Sequence, residues 1–287
     1  MSWLKMIILK NDRDLEAMRP AGAVAAAVLE DVAAWVKPGV TTKEIDRLAE
    51  EMIRGNGGEP AFLGYQGFTG SVCSSVNEEV VHGIPGGRIL RDGDLLKIDI
   101  GSLVDGWFSD MACTVPVGTV SDEAMRLVTT TEESLRVGIA QVRAGAHISD
   151  IGHAVQSFVE ARGYSVVRAL VGHGIGNKLH EEPAVPNFGR AGTGVVLKPG
   201  MVLAIEPMVN QGTWEVKTKS DGWTVVTADG KLSAHFEHTV AVLPDGFEVL
   251  TASGEDAYIN RLPERYSGAS MGGSLGATEA PRRAQAG

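Results

Sequence analysis

Cysteine is scarce. Cys73 and Cys113 are the only two in 287 residues, and no Cys-x-x-Cys pair exists. One disulfide is the most this supply allows, so a disulfide scaffold is excluded, as is a zinc ribbon or finger. Long basic runs are absent too. The 26 basic residues are outnumbered by 36 acidic ones, a formal net charge of -10, which leaves no electrostatic footprint for nucleic acid. No apolar run reaches the roughly 18 residues needed to cross a bilayer. The opening MSWLKMIILK is too short an apolar stretch for a signal peptide, and Asn11-Asp12-Arg13 ends it. These absences predict a cytoplasmic chain with neither membrane nor nucleic acid among its partners, and a monomer is the simplest assembly. Large apolar residues also thin out after about Tyr266, where Gly, Ala and Ser dominate. Residues 266–287 therefore read as a disordered tail, and the folded unit as about 5–262.

What is present is ordinary for a globular protein: 44% hydrophobic and 22% charged residues, enough to bury one large core. The chain also repeats itself. Glu16-Ala17-Met18-Arg19 returns as Glu123-Ala124-Met125-Arg126, an offset of 107 (123 − 16). Lys37-Pro38-Gly39 stands opposite Arg143-Ala144-Gly145, and Glu44-Ile45-Asp46 opposite Asp150-Ile151-Gly152. The run from Leu90 to Asp99 matches the run from Leu197 to Glu206, again 107 apart (206 − 99). Two pseudo-symmetric halves, about 12–105 and 119–245, follow from this. Each matched run ends in a carboxylate, so the junction of the halves is the natural place for a shared site.

A helical stripe over 14–36 carries Leu15, Met18, Val24, Val28, Leu29, Val32 and Val36, with Pro20 expected to kink or delay it. Thr41 with Glu44 is a capping box for a second helix through Ile53. Ser121 opens a third helix to about Val142, and a fourth runs from about Ser149 to Arg162. Strand-like runs cover 72–76, 94–104, 107–118, 165–171, 201–209, 223–227 and 234–243. This predicts an α+β protein with helices on one face of a curved, mostly antiparallel sheet.

Five residues in apolar strand contexts have the chemistry of hard metal ligands: Asp99, Asp110, His173, Glu206 and Glu237. An ionised carboxylate in a core strand costs several kcal/mol unless it is paired or bound to metal. One imidazole and four carboxylates suit two divalent ions about 3.5–4 Å apart. A donor set this rich in oxygen accepts Mn²⁺, Fe²⁺, Co²⁺ or Zn²⁺.

The motifs HGIP at 82–85, KIDIG at 97–101, SDMACT at 109–114 and GHGIG at 172–176 recur in order with LHEEP at 179–183, LKPGMVLAIEPM at 197–208, DGWTVVT at 221–227 and HFEHT at 235–239. Together they resemble type I methionine aminopeptidase, and the likeness runs from about residue 10 to 252. The resemblance implies the pita-bread fold as a single catalytic domain over 5–262. It implies metal ligation by the five residues above and substrate contact by His82 and His180. It further implies removal of the N-terminal methionine from newly made proteins, with a small second residue, by metal-hydroxide attack on the first peptide bond. Glu206 would shuttle the proton, His180 would donate to the oxyanion and His82 would hold the amide beyond the scissile bond. The methionine pocket falls on Phe62, Tyr65, Phe68, Cys73 and Trp223. Leu179 stands where related bacterial enzymes often carry an aromatic residue. Asn77 and Ser233, with the carbonyl of Glu79, resemble a monovalent-cation site in some relatives.

Two rivals compete with this reading. Proline-directed aminopeptidases and dipeptidases of the same fold carry an additional N-terminal domain, whereas 98 residues precede Asp99 here and the duplication claims nearly all of them. A non-catalytic binding module of this fold would not need all five ligand positions filled. Among the other histidines, His147, His153 and His235 read as structural or exposed. His238 reads as core or a support for the site, facing away from Glu237. Trp3, Trp35 and Trp107 read as packing or surface residues.

Overall fold

A computed structural model describes residues 6–252; the predicted tail and Trp3 lie outside the described residues. Local signals start each helix. In α1 (Asp12–Trp35) Asn11 and Asp14 form a capping box, and in α2 (Thr42–Gly55) Thr41 and Glu44 form the predicted one. Helix α3 (Asp122–Ile139) begins where the Ser121 side chain accepts the amide of Ala124, and α4 (Ile148–Glu160) follows His147 at its cap. Pro20 does not delay α1, which already begins at Asp12 and continues through it. The buried stripe of Leu15, Met18, Ala21, Val24, Val28, Leu29 and Val32 carries the helix through it. Burial on that scale outweighs the one backbone hydrogen bond a proline removes.

The strands of the first half are β1 (Glu59–Pro60), β2 (Cys73–Val76), β3 (Glu79–Val81), β4 (Leu95–Val104) and β5 (Trp107–Pro116). The second half has β6 (Ser165–Val166), β7 (Gly172–Gly174), β8 (Glu181–Val185), β9 (Val202–Ile205), β10 (Met208–Asn210), β11 (Val216–Thr218), β12 (Val225–Thr227), β13 (Ser233–His235), β14 (His238–Leu243) and β15 (Gly246–Val249). The registered pairings are antiparallel. They form four ladders rather than one continuous sheet: β1-β4-β2 with β5 on β4, β13-β10-β6, β11-β12-β3, and β15-β14-β9-β7-β8.

Two predicted runs are divided. The run 201–209 breaks at Glu206-Pro207, and 234–243 breaks at Phe236-Glu237. Both leave one ladder for another at the same place: β9 pairs with β14 before the crossing, and β10 with β13 after it. The run 165–171 shortens to two residues in β6.

The duplication is visible in single hydrogen bonds. Gly39 N donates to Leu90 O as Gly145 N does to Leu197 O, and Leu90 N to Val40 O as Leu197 N does to Ala146 O. The bridges Thr41–Ile89 and His147–Val196 repeat the pattern. Each half has its own apolar core, one spanning Val24 to Val117 and one Leu135 to Val249. A third cluster draws on both halves, with Phe62, Phe68 and Cys73 from one and Ile175, Leu179 and Val202 from the other. That shared cluster borders the site. No helix of the described residues is long and apolar enough to cross a membrane.

Candidate metal centre and substrate cavity

Strand pairing brings the predicted ligands together. Asp99 on β4 faces Cys73 on β2 and Ala112 on β5 across the ladder. Ala112 bridges in turn to Glu237 across the halves. Threonines complete this seam: Thr239 Oγ1 accepts from Asp110 N and donates to Asp110 O, at 3.0 and 2.8 Å. Thr114 Oγ1 does the same for the backbone of His235, at 2.9 and 2.8 Å. His173 lies on β7, squeezed between β8 and β9. A Cβ at Gly172 would stand 2.2 Å from Ala204 O, and one at Gly174 the same distance from Glu182 O. The glycines of GHG are thus required by close strand approach.

The charge balance of this group is the reason to read it as a metal centre. His173 Nε2 lies 3.8 Å from Asp110 Oδ2 and 3.7 Å from Glu206 Oε1. Burial holds the His173 imidazole at about 3, so it is neutral and these spacings are not ion pairs. Burial likewise pushes Asp99, Asp110, Glu206 and Glu237 upward, with mutual repulsion adding to it for Asp110, Glu206 and Glu237. Asp99 Oδ1, Asp110 Oδ1 and Glu237 Oε1 are buried without a hydrogen-bond partner. Buried, unpartnered carboxylate oxygens beside a neutral imidazole fit divalent cations, which invert the local field and let the acids ionise. Ligand atoms of Asp110, His173 and Glu237 lie within 4.8 Å of one another, and so do those of Glu206, His235 and Glu237.

The twelve residues singled out in the sequence line one cavity of about 280 Å³. Phe62, Phe68 and Cys73 are buried in its wall, and Trp223 stands edge-on to Phe68 at 5.1 Å. Leu179 lines the cavity too and is 2% exposed. Burial and the nearby carboxylates push the Cys73 thiol well up, so it behaves as an apolar contact; the two cysteines are not joined in a disulfide. His82 adopts φ 58°, a left-handed backbone that turns it toward Trp223, and Gly83 N is fixed by Ser75 Oγ at 2.9 Å. His180 stacks on Tyr65, with Nδ1 2.8 Å from the Tyr65 hydroxyl, and its ring centre is 4.1 Å from that of His173.

Of the two readings of His235 the exposed one fails: it is 1% exposed, brings Nε2 to 3.7 Å of Glu237 Oε2, and its ring nitrogens have no hydrogen-bond partner. Its spacing of two from Glu237 in an extended run was the available signal, because positions i and i+2 share a face. His238, on the other face, is buried and held by Thr251 Oγ1 at 2.9 Å. His153 is exposed, and Trp35 is partly exposed, as expected.

A fold of paired halves with a carboxylate-rich centre at their junction defines a class of metal-dependent hydrolase, and the chain belongs to metallopeptidase family M24, whose model matches residues 16–244. More narrowly, it falls among the methionine aminopeptidases of that family. It is 53% identical over 246 residues to methionine aminopeptidase 1 of Bacillus subtilis, covering 86% of this chain and 99% of that one. It is 46% identical over 252 residues to the methionine aminopeptidase of Escherichia coli, covering 87% and 96%. The crystal structure of methionine aminopeptidase from Rickettsia prowazekii aligns with TM-score 0.85 at 44% identity, over 86% of this chain and all of that one. A Xaa-Pro dipeptidase of Bacillus anthracis shares the fold alone, with TM-score 0.70 at 24% identity over 62% of its length.

Proposed function

We propose that this enzyme removes the N-terminal methionine from newly made proteins in the cytoplasm, acting as a monomer. The observation that carries the reading is the placement of a carboxylate-rich centre against an apolar, aromatic cavity of about 280 Å³. Asp99, Asp110, His173, Glu206 and Glu237 would hold two divalent ions, drawn by donor type from Mn²⁺, Fe²⁺, Co²⁺ and Zn²⁺. When bound, the ions supply Lewis acidity, bringing a water near neutral pKa and polarising the scissile carbonyl.

The protein's own groups do the rest. Glu206 takes the proton of the attacking water and hands it to the leaving amine. Its side chain is 14% exposed, against 7% for Asp110 and 3% for Glu237, so it is the more open of these to the cavity. The Tyr65 hydroxyl lies 2.8 Å from Nδ1 of His180; donating there, it would leave the proton on Nε2 as a donor for the developing oxyanion. Burial lowers the pKa of His180, which keeps the ring neutral. His82, at about 4 through burial and the neighbouring His180, is likewise neutral and donates to the amide beyond the scissile bond. Phe62, Tyr65, Phe68, Cys73 and Trp223 receive the methionine side chain, whose thioether gains from soft contact with aromatic rings. His82 crowds the second residue and favours a small one. In a bacterium, deformylation would come first, because a formylated substrate presents no free amino group.

The test is hydrolysis of Met-Gly-Met-Met and Ala-Pro-Ala by metal-stripped protein before and after addition of Co²⁺ or Mn²⁺. Metal-dependent release of methionine alone is expected. Cleavage of the proline peptide alone would transfer the chain to the proline-directed enzymes. Cleavage of neither would make it a binding module.

A further inference from the structure

Among the described residues Lys97 is the largest fully buried side chain, and the reaction makes no use of it. It lies on β4 two residues before Asp99, 1% exposed, with Ser75 and Thr114 as its cross-strand neighbours. Its Nζ donates to the carbonyl of Asn77 at 2.7 Å. The same carbonyl accepts Ser233 N from the other half of the molecule at 3.1 Å. Asn77 is itself a hub. At φ 56° it sits in the left-handed region, its amide donates to Leu95 O, its Oδ1 accepts Leu95 N and its Nδ2 donates to Asp94 Oδ1. The turn continues through Glu78, whose carbonyl accepts Thr227 N, into Glu79, whose Oε2 accepts Val76 N. This turn leads into β3 and His82, while Ser233 leads toward Glu237.

An ammonium in such a place is costly unless oxygens and negative charge surround it. Here burial itself works against the charge, as does Arg88, and Glu79, Glu78 and Asp94 oppose that with negative charge. Asn77, Ser233 and the carbonyl of Glu79 are also the groups that resemble a monovalent-cation site. We propose that the Lys97 ammonium is a tethered replacement for that ion: it occupies the cation position on the Asn77–Ser233 turn, so this chain holds the turn without free sodium or potassium. The side chain and a small monovalent cation compete for the carbonyl of Asn77, and the covalent one wins by effective concentration. Lys97 is thus a positioning residue that joins the β2–β3 turn to the second half.

Thermal melting in sodium, potassium and choline chloride at equal ionic strength tests this, and it reads the site whether or not any peptide is hydrolysed. Wild type should melt at one temperature in all three salts. Lys97→Ser vacates the position; its melting temperature should fall by about 3 °C or more in choline chloride and recover in sodium or potassium chloride. Lys97→Gln fills the same space without charge, and it should melt lower than wild type in every salt without recovery. The proposal is overturned if wild type gains stability from sodium or potassium over choline, because a free ion then binds there. It is overturned equally if Lys97→Gln matches wild type, or if neither ion rescues Lys97→Ser. Should Lys97→Ser not fold, the wild-type and Lys97→Gln melts decide alone.

Discussion

Tyr65 and His180 illustrate how little a residue's type says about its task. A histidine stacked on a tyrosine is a common packing contact, yet here the phenol oxygen also stands 2.8 Å from Nδ1, so under the proposed mechanism it sets the tautomer. Replacing His180 by Ala should lower kcat by roughly 10²–10³-fold with KM changed little, since the lost donor acts on charge that develops in the transition state. Tyr65→Phe keeps the stacking and frees the tautomer, so its loss in kcat should be smaller, on the order of 10-fold, again without a matching rise in KM. A rise in KM alone for either variant would make them binding residues and sink the oxyanion assignment. At this scale the sequence was informative where chemistry was dense. Asp99, Asp110, Glu206 and Glu237 stand out because carboxylates are improbable in apolar strand runs, and the structure brings all four to one cavity. His235 escaped because a single buried imidazole looks like any core histidine until its neighbours are known. Lys97 escaped for a different reason. Its burial depends on a carbonyl twenty residues away, on a turn that no local pattern links to it.

At the scale of elements, caps and turns were readable and strand ends were not. Ser121 and the Thr41–Glu44 box start helices because they satisfy backbone donors within three residues of themselves. The division of 234–243 has no such local cause. Apolar alternation continues through it, and the break arises because Glu237 pairs with Ala112 on a strand more than a hundred residues away. Short strands such as β3, β7 and β11 are likewise defined by distant partners and have too few residues to carry a period. The seam between the halves rests on threonine hydroxyls standing in for backbone groups, which makes it testable. Thr239→Val keeps the shape but leaves the buried N–H and C=O of Asp110 without partners. The variant should lose about 1–3 kcal/mol in denaturant unfolding, and its affinity for divalent metal should fall because Asp110 is no longer fixed. An unchanged unfolding midpoint together with unchanged metal affinity would show that the seam contributes nothing.

For the whole molecule, the repeat offset had a consequence that individual motifs did not: two strands related by duplication deliver Asp99 and Glu206 to one junction, and the crossing of β9 into β10 beside β13 into β14 delivers Glu206 and Glu237 together. The fold therefore concentrates like charges at its own midline, and its stability must depend on pH and metal in a coupled way. Burial raises Asp99 to about 7 and pushes Asp110, Glu206 and Glu237 well above their ordinary range, while in the unfolded chain each titrates near 4. The folded state of metal-free protein thus holds more protons than the unfolded state between those values. The stabilisation this gives is complete below about pH 4 and is lost as pH rises through 7, at up to about 1.4 kcal/mol per pH unit for each proton involved. Calorimetry on chelator-treated protein should accordingly find a lower melting temperature at pH 8 than at pH 6. Added Mn²⁺ or Co²⁺ should reverse the order, because deprotonated ligands bind the ion more tightly and the bound ion stabilises only the folded state. If stripped protein instead gained stability from pH 6 to 8, the buried acids would have to be paired by something other than a divalent cation, and the centre would be structural rather than catalytic.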